Sequence, residues 1–392
     1  MKKLLAFVVT LFLVHPHSGS GGELPQSPRI ESVVLVDNQL HEHDSHVIWY
    51  DDFDDETLQD QYPEKEGDLT DSVRFGGTGK SLKMQYDRGS KGIGGRRIFF
   101  GDSPTYTKHV LRNKESFDDV YWRIYVKHPI DWAGGGPAKL SRATSLVPPG
   151  WRQAMIAHVW SSGDALTLDP ASGVKDGALV STRYNDFENL RWLGNRPASE
   201  FKLHGRDGLG WWVCVEARAK LNTPGKKDGI NQLWIDGKLE SERTNLDWRG
   251  TFNERGINAV FLEAYWNQGS PVDQARWVDN FVVSTAPIGP VYCNSNPTLI
   301  KSKYVGPGQQ QAWEVELALV ESDLMTVWRS NLIDSSERVT VDVEHGQFIN
   351  ELAGKNSLPG GKTFVSRVRQ QSKDGDWSPW SPWHQTFRTM NR

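Results

Sequence analysis

The chain has 392 residues, 37% of them hydrophobic, and a formal net charge of −4. The length allows two or three domains, and the hydrophobic content argues against a disordered chain and against a multi-span membrane protein. The acidic balance gives no support for electrostatic binding to nucleic acid or to an acidic membrane. Tryptophan is unusually common, with 17 copies, and its large ring suits both β-sandwich cores and platforms for sugar rings.

The N-terminus has the pattern of a secretory signal peptide. Two lysines directly after Met1 precede an apolar run at 4–14, which is too short to span a bilayer. The pattern predicts a signal peptide over 1–22, an N-terminal extension over 23–44, and a secreted or periplasmic protein. No cysteine follows the run, so a lipid anchor is not expected. A buried hydrophobic strand is the alternative for the same residues.

Almost every later segment alternates apolar and polar residues and ends at Gly, Pro, Asn or Asp. A period of two predicts β-strands, and no long amphipathic helical pattern is present. The sequence therefore predicts an all-β protein built of sandwiches. A linker at 287–290 separates a first domain, 45–286, from a last domain, 291–392, which has the length of an immunoglobulin-type sandwich.

Three strands of the first domain place ionisable or aromatic side chains opposite an apolar face. If these faces converge, they form a groove that binds a ligand through cations and aromatic rings. Polar strand faces are often merely solvated, so the pattern leaves an ordinary surface open as well. The side chains in question are Arg123 and Tyr125 in the first strand, His158 and Trp160 in the second, and Glu263 and Tyr265 in the third.

Four stretches of the first domain are similar to segments of concanavalin A-like polysaccharide lyases, the alginate and glucuronan lyase families. They are an opening strand at 48–56, a Gly-rich stretch with a lysine at 134–145, a hairpin at 220–240 and a closing strand at 276–285. The resemblance covers roughly 45–286. It implies a concanavalin A-like jelly roll that cleaves an anionic, uronate-containing polysaccharide by β-elimination.

The resemblance also suggests site residues. One alginate lyase group carries an Arg-containing strand, a short Gln-Ile-His strand and a late strand similar to YFKAGxYNQ. This chain offers Arg142, His158 and Tyr265 in the same order, with Asn267 and Gln268 after the tyrosine. These residues are the candidates that the resemblance implies for catalysis and for substrate binding.

Two positions depart from that pattern. Ile156 stands where the glutamine is expected, so an amide for the substrate carboxylate is missing there. Glu263 stands near the place of a lysine. Its negative charge opposes a uronate unless it pairs with a cation such as Arg142 or Lys139.

β-Elimination needs a group that neutralises the carboxylate, a base for the proton on the neighbouring carbon, and an acid for the leaving oxygen. We expect Arg142, Lys139 and Asn267 to contact the carboxylate. His158 is the expected base, because an unperturbed imidazole is largely neutral at pH 7. Tyr265 is the expected acid, or both acid and base if a neighbouring cation lowers its pKa.

The predicted substrate-binding set is wider than these roles. Tyr184, which has arginines nearby in sequence, is a reserve candidate for the acid. Each member also fits a structural role, as a packed histidine, a sheet-face aromatic or a loop cation. The predicted set is Lys139, Arg123, Tyr125, Trp160, Glu263, Asn267, Gln268 and Tyr184.

Aspartates gather at both ends of the first domain. Asp52 and Asp54 lie on the opening strand segment, and Asp279 lies on the closing strand, which should return beside it. Carboxylate oxygens so placed suit a structural Ca²⁺, and the chemistry itself requires no cofactor. An acidic surface turn is the alternative.

The last domain resembles a fibronectin type III sandwich. Arg367 and Arg369 lie on a strand that precedes Trp377, Trp380 and Trp383. This WSxWS-like spacing resembles one in which guanidinium groups stack between indole rings. We expect a structural ladder there rather than a ligand site.

The sequence thus favours an exported, monomeric polysaccharide lyase whose partner is an anionic polysaccharide, with no nucleic acid and no membrane span. A non-catalytic polysaccharide-binding or adhesion protein with the same groove is one alternative. A glycoside hydrolase is another, although no ExDxxE pattern of paired acids is present. Whether Cys214 and Cys293 pair stays open.

Overall fold

The computed structural model describes residues 24–36, 39, 44–136, 139–194, 197–205, 208–334 and 336–391. The predicted signal peptide lies outside this part of the chain. The described residues form an all-β protein, as predicted, in which helix is limited to short 3-10 segments. These segments are Glu56–Gln61, Phe75–Gly77, Thr107–His109, Val320–Ser322 and Asn350–Leu352.

The strands of the described part are numbered in chain order. They are β1 Ile30–Val33, β2 Val47–Asp51, β3 Asp68–Thr70, β4 Ser81–Tyr86, β5 Gly92–Phe100, β6 Val110–Leu111, β7 Asp119–Lys127, β8 Lys139–Val147, β9 Arg152–Ser162, β10 Ala165–Ser172, β11 Val174–Lys175, β12 Ala178–Leu179, β13 Arg191–Trp192, β14 Trp212–Lys220, β15 Gly229–Ile235, β16 Lys238–Leu246, β17 Ala259–Tyr265, β18 Gln274–Ser284, β19 Tyr292–Cys293, β20 Thr298–Lys301, β21 Gln310–Leu319, β22 Met325–Ser330, β23 Arg338–Thr340, β24 Gly346–Phe348, β25 Thr363–Ser372 and β26 His384–Thr389.

Two large sheets face each other in a jelly-roll sandwich. The front sheet has the order β13-β10-β9-β8-β17-β5-β6. The back sheet has the order β16-β15-β14-β7-β18-β4-β3, and β2 also pairs with β18. The Trp122 indole of the back sheet donates to the Ser141 hydroxyl of the front sheet at 2.9 Å, across the buried interior.

The core between these sheets is made by the strand faces that the alternation predicts as apolar. Because successive side chains of a strand point to opposite sides, one face of each strand can be fully buried while the other carries polar groups. The buried core members from β7, β9 and β17 are Trp122, Ile124, Val126, Met155, Ala157, Val159, Val260, Leu262 and Ala264.

A second, smaller sandwich follows. Its larger sheet has the order β19-β26-β25-β21-β22-β24, and its smaller sheet has the order β1-β20-β23. Strand β1 comes from the N-terminal extension and pairs antiparallel with β20, with Ile30 opposite Lys301. The extension thus completes a sheet formed mainly by the end of the chain. The fibronectin type III assignment stays a prediction.

The Arg–Trp ladder is present on the larger sheet of this sandwich. The Arg367 guanidinium lies 5.0 Å from the Trp380 ring and 4.5 Å from the Trp383 ring. The Arg369 guanidinium lies 4.3 Å from the Trp377 ring and 4.6 Å from the Trp380 ring. Cations thus alternate with indole faces, which confirms the predicted structural role.

Both cysteines are buried and neither forms a disulfide. Burial raises the pKa of the Cys214 and Cys293 thiols, because it disfavours the thiolate. The stability of the described part therefore comes from its cores. No helix among the described residues is long and apolar enough to cross a membrane.

Candidate functional site

The outer face of the front sheet carries most of the predicted site residues. Antiparallel pairing sets Arg142 opposite Phe261 on one side and opposite His158 on the other. His158 in turn lies opposite Asp169. Since paired residues point to the same face, a row of polar and aromatic side chains crosses the sheet.

Arg142 and Glu263 form a buried ion pair at the centre of this face. The guanidinium donates to the Glu263 carboxylate, to the Tyr184 hydroxyl and, at 2.7 Å, to the Asn185 side-chain oxygen. The Arg142 side chain is 0% exposed. Glu263 therefore has a cationic partner, as the sequence analysis required for a uronate site. Arg142, however, is not available to a substrate carboxylate, which differs from our expectation.

The segment that covers Arg142 is held down by the front sheet. The Gln153 side-chain oxygen accepts from the Asn185 backbone at 2.8 Å, and Asn185 adopts φ of 52°, a left-handed conformation that asparagine tolerates. Tyr184 packs against Trp151 and Phe261. Burial raises the pKa of Tyr184, and Arg142 opposes the shift. Tyr184 is thus an anchor for this segment, and it points to Arg142 rather than to the open face.

His158 is also covered, so the geometry gives no support to the base role, which stays a prediction. Its side chain is 0% exposed, and its Nδ1 lies 2.9 Å from the Asp169 carbonyl oxygen. The Trp160 ring packs 4.1 Å from the imidazole, and the Trp192 ring lies 5.9 Å away. The edge strand β13 brings Trp192 over the histidine, so a substrate on this face does not reach His158.

Lys139 and Tyr265 form a pair of reactive side chains on this face, one buried and one exposed. They lie opposite each other on β8 and β17, and the Lys139 Nζ is 4.7 Å from the centre of the Tyr265 ring. Gly92 lies opposite Tyr265 on the other side, where a Cβ would stand 2.9 Å from the tyrosine ring. Glycine at this place therefore leaves room for the ring.

The two members of this pair differ in environment. Tyr265 is 37% exposed, whereas Lys139 is buried and only 8% exposed. Within the described part of the chain Lys139 has no ion pair with a carboxylate. Burial lowers the pKa of Lys139, while the Glu263 charge acts in the opposite direction. A lysine in this environment gives up its proton more readily than an ordinary surface lysine.

Aromatic rings border the pair on one side. Phe187 and Trp192 are 40% and 37% exposed, and their ring centres lie 6.0 Å apart with an interplanar angle of 22°. The Trp160 ring lies 6.0 Å from Trp192. Phe187 escaped the sequence analysis, although it lies three residues after Tyr184. We call Lys139, Tyr265 and these three rings the front-face site.

Asn267 and Gln268 lie in the exposed turn directly after β17. They follow Tyr265 in sequence, so the turn borders the front-face site. Their roles in substrate binding stay predictions.

Arg123 and Tyr125 do not belong to this site, which corrects their predicted role in the groove. Both are 0% exposed and lie on β7 in the back sheet. Arg123 donates to the Gly289 carbonyl at 3.0 Å, and the Tyr125 hydroxyl accepts from the Val291 backbone at 3.0 Å. The linker between the sandwiches therefore covers this face of the back sheet.

The aspartates predicted to bind calcium line one small cavity of about 230 Å³. The Asp279 carboxylate accepts from the Phe75 and Asn280 backbones, and the Asp54 carboxylate accepts from the Lys80 backbone at 2.5 Å. Burial raises the pKa of Asp279 well above its ordinary value. Among the described residues no group of three His, Cys, Asp or Glu side chains could hold a metal ion. Calcium bound by Asp52, Asp54 and Asp279 stays a prediction.

No family model matches the chain, and no curated protein matches it by sequence. Solved structures do show similarity to part of the chain. An alginate lyase from Chlorella virus is 14% identical and covers 61% of this chain and 100% of its own, with a TM-score of 0.43. A marine alginate lyase from Aplysia kurodai is 15% identical over 62% of this chain and 100% of its own, with a TM-score of 0.41. An endo-β-1,4-glucuronan lyase from Trichoderma reesei is 13% identical over 61% and 96%, also at 0.41.

Proposed function

We propose that the protein is a polysaccharide lyase that cleaves an anionic, uronate-containing polysaccharide by β-elimination at the front-face site. The observation that carries the proposal is the pairing of Lys139 with Tyr265, whose ring centre lies 4.7 Å from the lysine nitrogen. One group is a buried amine with a lowered pKa and the other is a solvent-accessible phenol. Together they supply a base and an acid at one place.

The roles follow from the demands of the reaction. The neutral Lys139 amine takes the proton from the carbon next to the uronate carboxylate. The electron pair forms a carbon–carbon double bond as the glycosidic oxygen leaves, and the Tyr265 hydroxyl gives that oxygen a proton. Asn267 is our candidate for a hydrogen bond to the carboxylate, whose negative charge grows in the transition state. Arg142 orients Glu263 beneath the pair and does not touch the substrate.

A hydrolase is a poorer match to this face. Most glycoside hydrolases use two carboxyl groups on either side of the bond, no more than about 9.5 Å apart. Glu263 and Asp169 point to this face, but β8 and β9 lie between their strands. Three strand spacings of about 4.8 Å separate their backbones by about 14 Å. Glu263 is also ion-paired with Arg142.

A binding protein without catalysis is the second candidate. The exposed rings of Phe187 and Trp192 favour it, because aromatic platforms are sufficient to hold sugars without any base or acid. The two functions differ in a direct assay. We expect incubation with a panel of uronate polymers to produce near-ultraviolet absorbance from the unsaturated product. Binding without absorbance would leave the lectin alternative, and new reducing ends without absorbance would favour a hydrolase.

Substitution of Lys139 tests its role as the base. Arginine keeps the positive charge but cannot act as a base near neutral pH. We therefore expect Lys139→Arg to lower kcat at least 100-fold, as Lys139→Gln should, while Lys220→Arg on the back sheet leaves it unchanged. In the native protein kcat should rise with pH as the Lys139 amine loses its proton. The midpoint of this rise should lie below the ordinary lysine pKa of about 10.4.

Retention of activity in Lys139→Arg would contradict the base role and would make the lysine a binding cation. Tyr265→Phe is the companion test of the acid. It should abolish turnover and leave binding of the polymer intact, because only the hydroxyl is lost. Unchanged turnover in Tyr265→Phe would refute that assignment.

A further inference from the structure

A cavity of about 550 Å³ lies where the two sandwiches meet, away from the front-face site. Its walls come from three parts of the chain. The first sandwich provides Arg74 and Lys127, the second provides Lys303 and Arg338, and the N-terminal extension between them provides Arg29 and Glu31. A volume of this size is typical of a site for a small ligand.

The charge of this cavity differs from that of the chain as a whole. Five cationic side chains line it against the single carboxylate of Glu31, whereas the chain carries a formal net charge of −4. The Lys127 ammonium lies 3.5 Å from Glu31. The side chains of Arg74, Lys303 and Arg338 are exposed and have no ion pair among the described residues. A concave site with several uncompensated cations attracts and holds anions.

The remaining lining indicates what kind of anion fits. Trp277 and Ile130 contribute apolar surface next to the cations, and the indole nitrogen of Trp277 is buried without a hydrogen-bond partner in the described part of the chain. The hydroxyls of Ser72 and Ser302 lie in the same wall. These groups match the chemistry of an acidic sugar. The cations can bind its carboxylate, the serine hydroxyls can hydrogen-bond to its hydroxyl groups, and the indole can pack against the face of its ring.

From this we infer a second ligand site in the junction cavity, which binds a short stretch of an acidic polysaccharide by its carboxylates. The choice of a uronate as ligand rests on the function proposed above. Lys127, the buried amine of this cavity, is ion-paired with Glu31, so we expect the site to hold the polymer without cleaving it. Because both sandwiches and the extension contribute cations, the second sandwich takes part in substrate binding.

The test measures calorimetric binding of trigalacturonate at low salt, with Tyr265→Phe present in every protein so that the probe is not cleaved. Arg74→Gln with Arg338→Gln removes one cavity cation from each sandwich. Lys226→Gln with Lys227→Gln is the matched control, because it removes the same charge from an exposed turn outside the cavity. Thermal unfolding checks that both double variants are folded.

We expect the control to retain binding and the cavity variant to lose one site or to bind it at least tenfold more weakly. Carboxyl-reduced, neutral trisaccharide should not occupy the cavity. Equal binding by the two double variants would overturn the inference, as would no binding at all or equal binding of the neutral sugar. If the native protein, without Tyr265→Phe, produces no absorbance from any uronate polymer, but the cavity variant alone loses binding of trigalacturonate, the proposed lyase function fails and the second site stands.

Discussion

Arg142 illustrates how burial decides what a charged side chain can do. The resemblance to the lyases suggests that Arg142 is the arginine of an active-site strand and contacts a substrate carboxylate. In the structure it is fully buried and bonded to Glu263, Tyr184 and Asn185. A cation that already has three acceptors in a low-dielectric environment stabilises its neighbours and is lost to the substrate.

Substitution of Glu263 measures what this pair contributes. Glu263→Gln removes the negative charge and leaves the Arg142 cation buried without a carboxylate. We expect the free energy of unfolding to fall by about 3 kcal/mol, as for other buried pairs that lose one partner. Chemical denaturation measures this change.

The double variant Glu263→Gln with Arg142→Met is the control. It removes both charges, so it should recover most of the lost stability. If the free energy of unfolding of Glu263→Gln lies within about 0.5 kcal/mol of that of the native protein, the hydrogen bonds to Tyr184 and Asn185 alone are sufficient for Arg142.

At the scale of elements, the Arg–Trp ladder shows a local pattern that acts as predicted. Strand alternation puts Arg367 and Arg369 on one face of β25, and the three-residue spacing of the tryptophans brings an indole to each side of each guanidinium. Arg369 also donates to the Glu314 carboxylate at 2.6 Å. The ladder fastens the segment before β26 onto the sheet.

Arg369→Ala tests the energy of the ladder. The substitution removes two cation–π contacts, each of about 0.5 to 2 kcal/mol, together with an ion pair. We expect it to lower the unfolding free energy of the second sandwich by about 2 kcal/mol in a thermal or denaturant melt. Arg369→Lys keeps the charge near Glu314 but lacks the planar group that stacks between rings, so it should recover only part of the loss. Native stability in both variants would show that the stacking is incidental.

At the scale of the whole molecule, buried histidines set a limit on stability in acid. His128 and His204 are buried with ring centres 4.6 Å apart, and Arg276 acts on both as a like charge. Burial lowers the pKa of His128 well below its ordinary value and that of His204 to about 3. Both are therefore neutral in the folded protein at pH 7.

The sign of the pH dependence follows from these lowered values. The unfolded chain takes up protons on these histidines near pH 6.5, while the folded protein does not until about pH 3 for His204. Stability is thus fully present above pH 6.5 and is lost as the pH falls, by about 1.4 kcal/mol per pH unit for each histidine. Denaturant melts between pH 7 and 4.5 measure this slope.

The matched variant replaces both histidines with glutamine, which cannot titrate. It should show a shallower loss of stability over the same pH range, whatever its stability at pH 7. If the free energy of unfolding falls equally with pH in the native and variant proteins, groups other than these two histidines control the loss of stability in acid.

The arrangement of the whole molecule also explains why some predictions were wrong. Alternation correctly places Arg123, His158 and Tyr265 opposite the apolar faces of their strands, because that relation depends only on the geometry of a single strand. Strand β7 belongs to the back sheet, so Arg123 lies far from the front face. His158 belongs to the front sheet, yet Trp192 from an edge strand covers it. Both outcomes depend on pairing between distant segments.

By itself the sequence determined the all-β class, the apolar face of each strand and the Arg–Trp ladder, since each rests on the spacing of neighbouring residues. It also contained Lys139 and Tyr265 among its candidates, but only the tertiary structure showed that the buried lysine lies opposite the exposed tyrosine, while Arg142 and His158 are fully covered. The structure likewise showed that strand β1 belongs to a sheet of the second sandwich and that a cationic cavity lies at the junction of the two sandwiches. Burial and ion pairing depend on contacts between residues far apart in the chain, and such contacts cannot be predicted from the spacing of neighbouring residues.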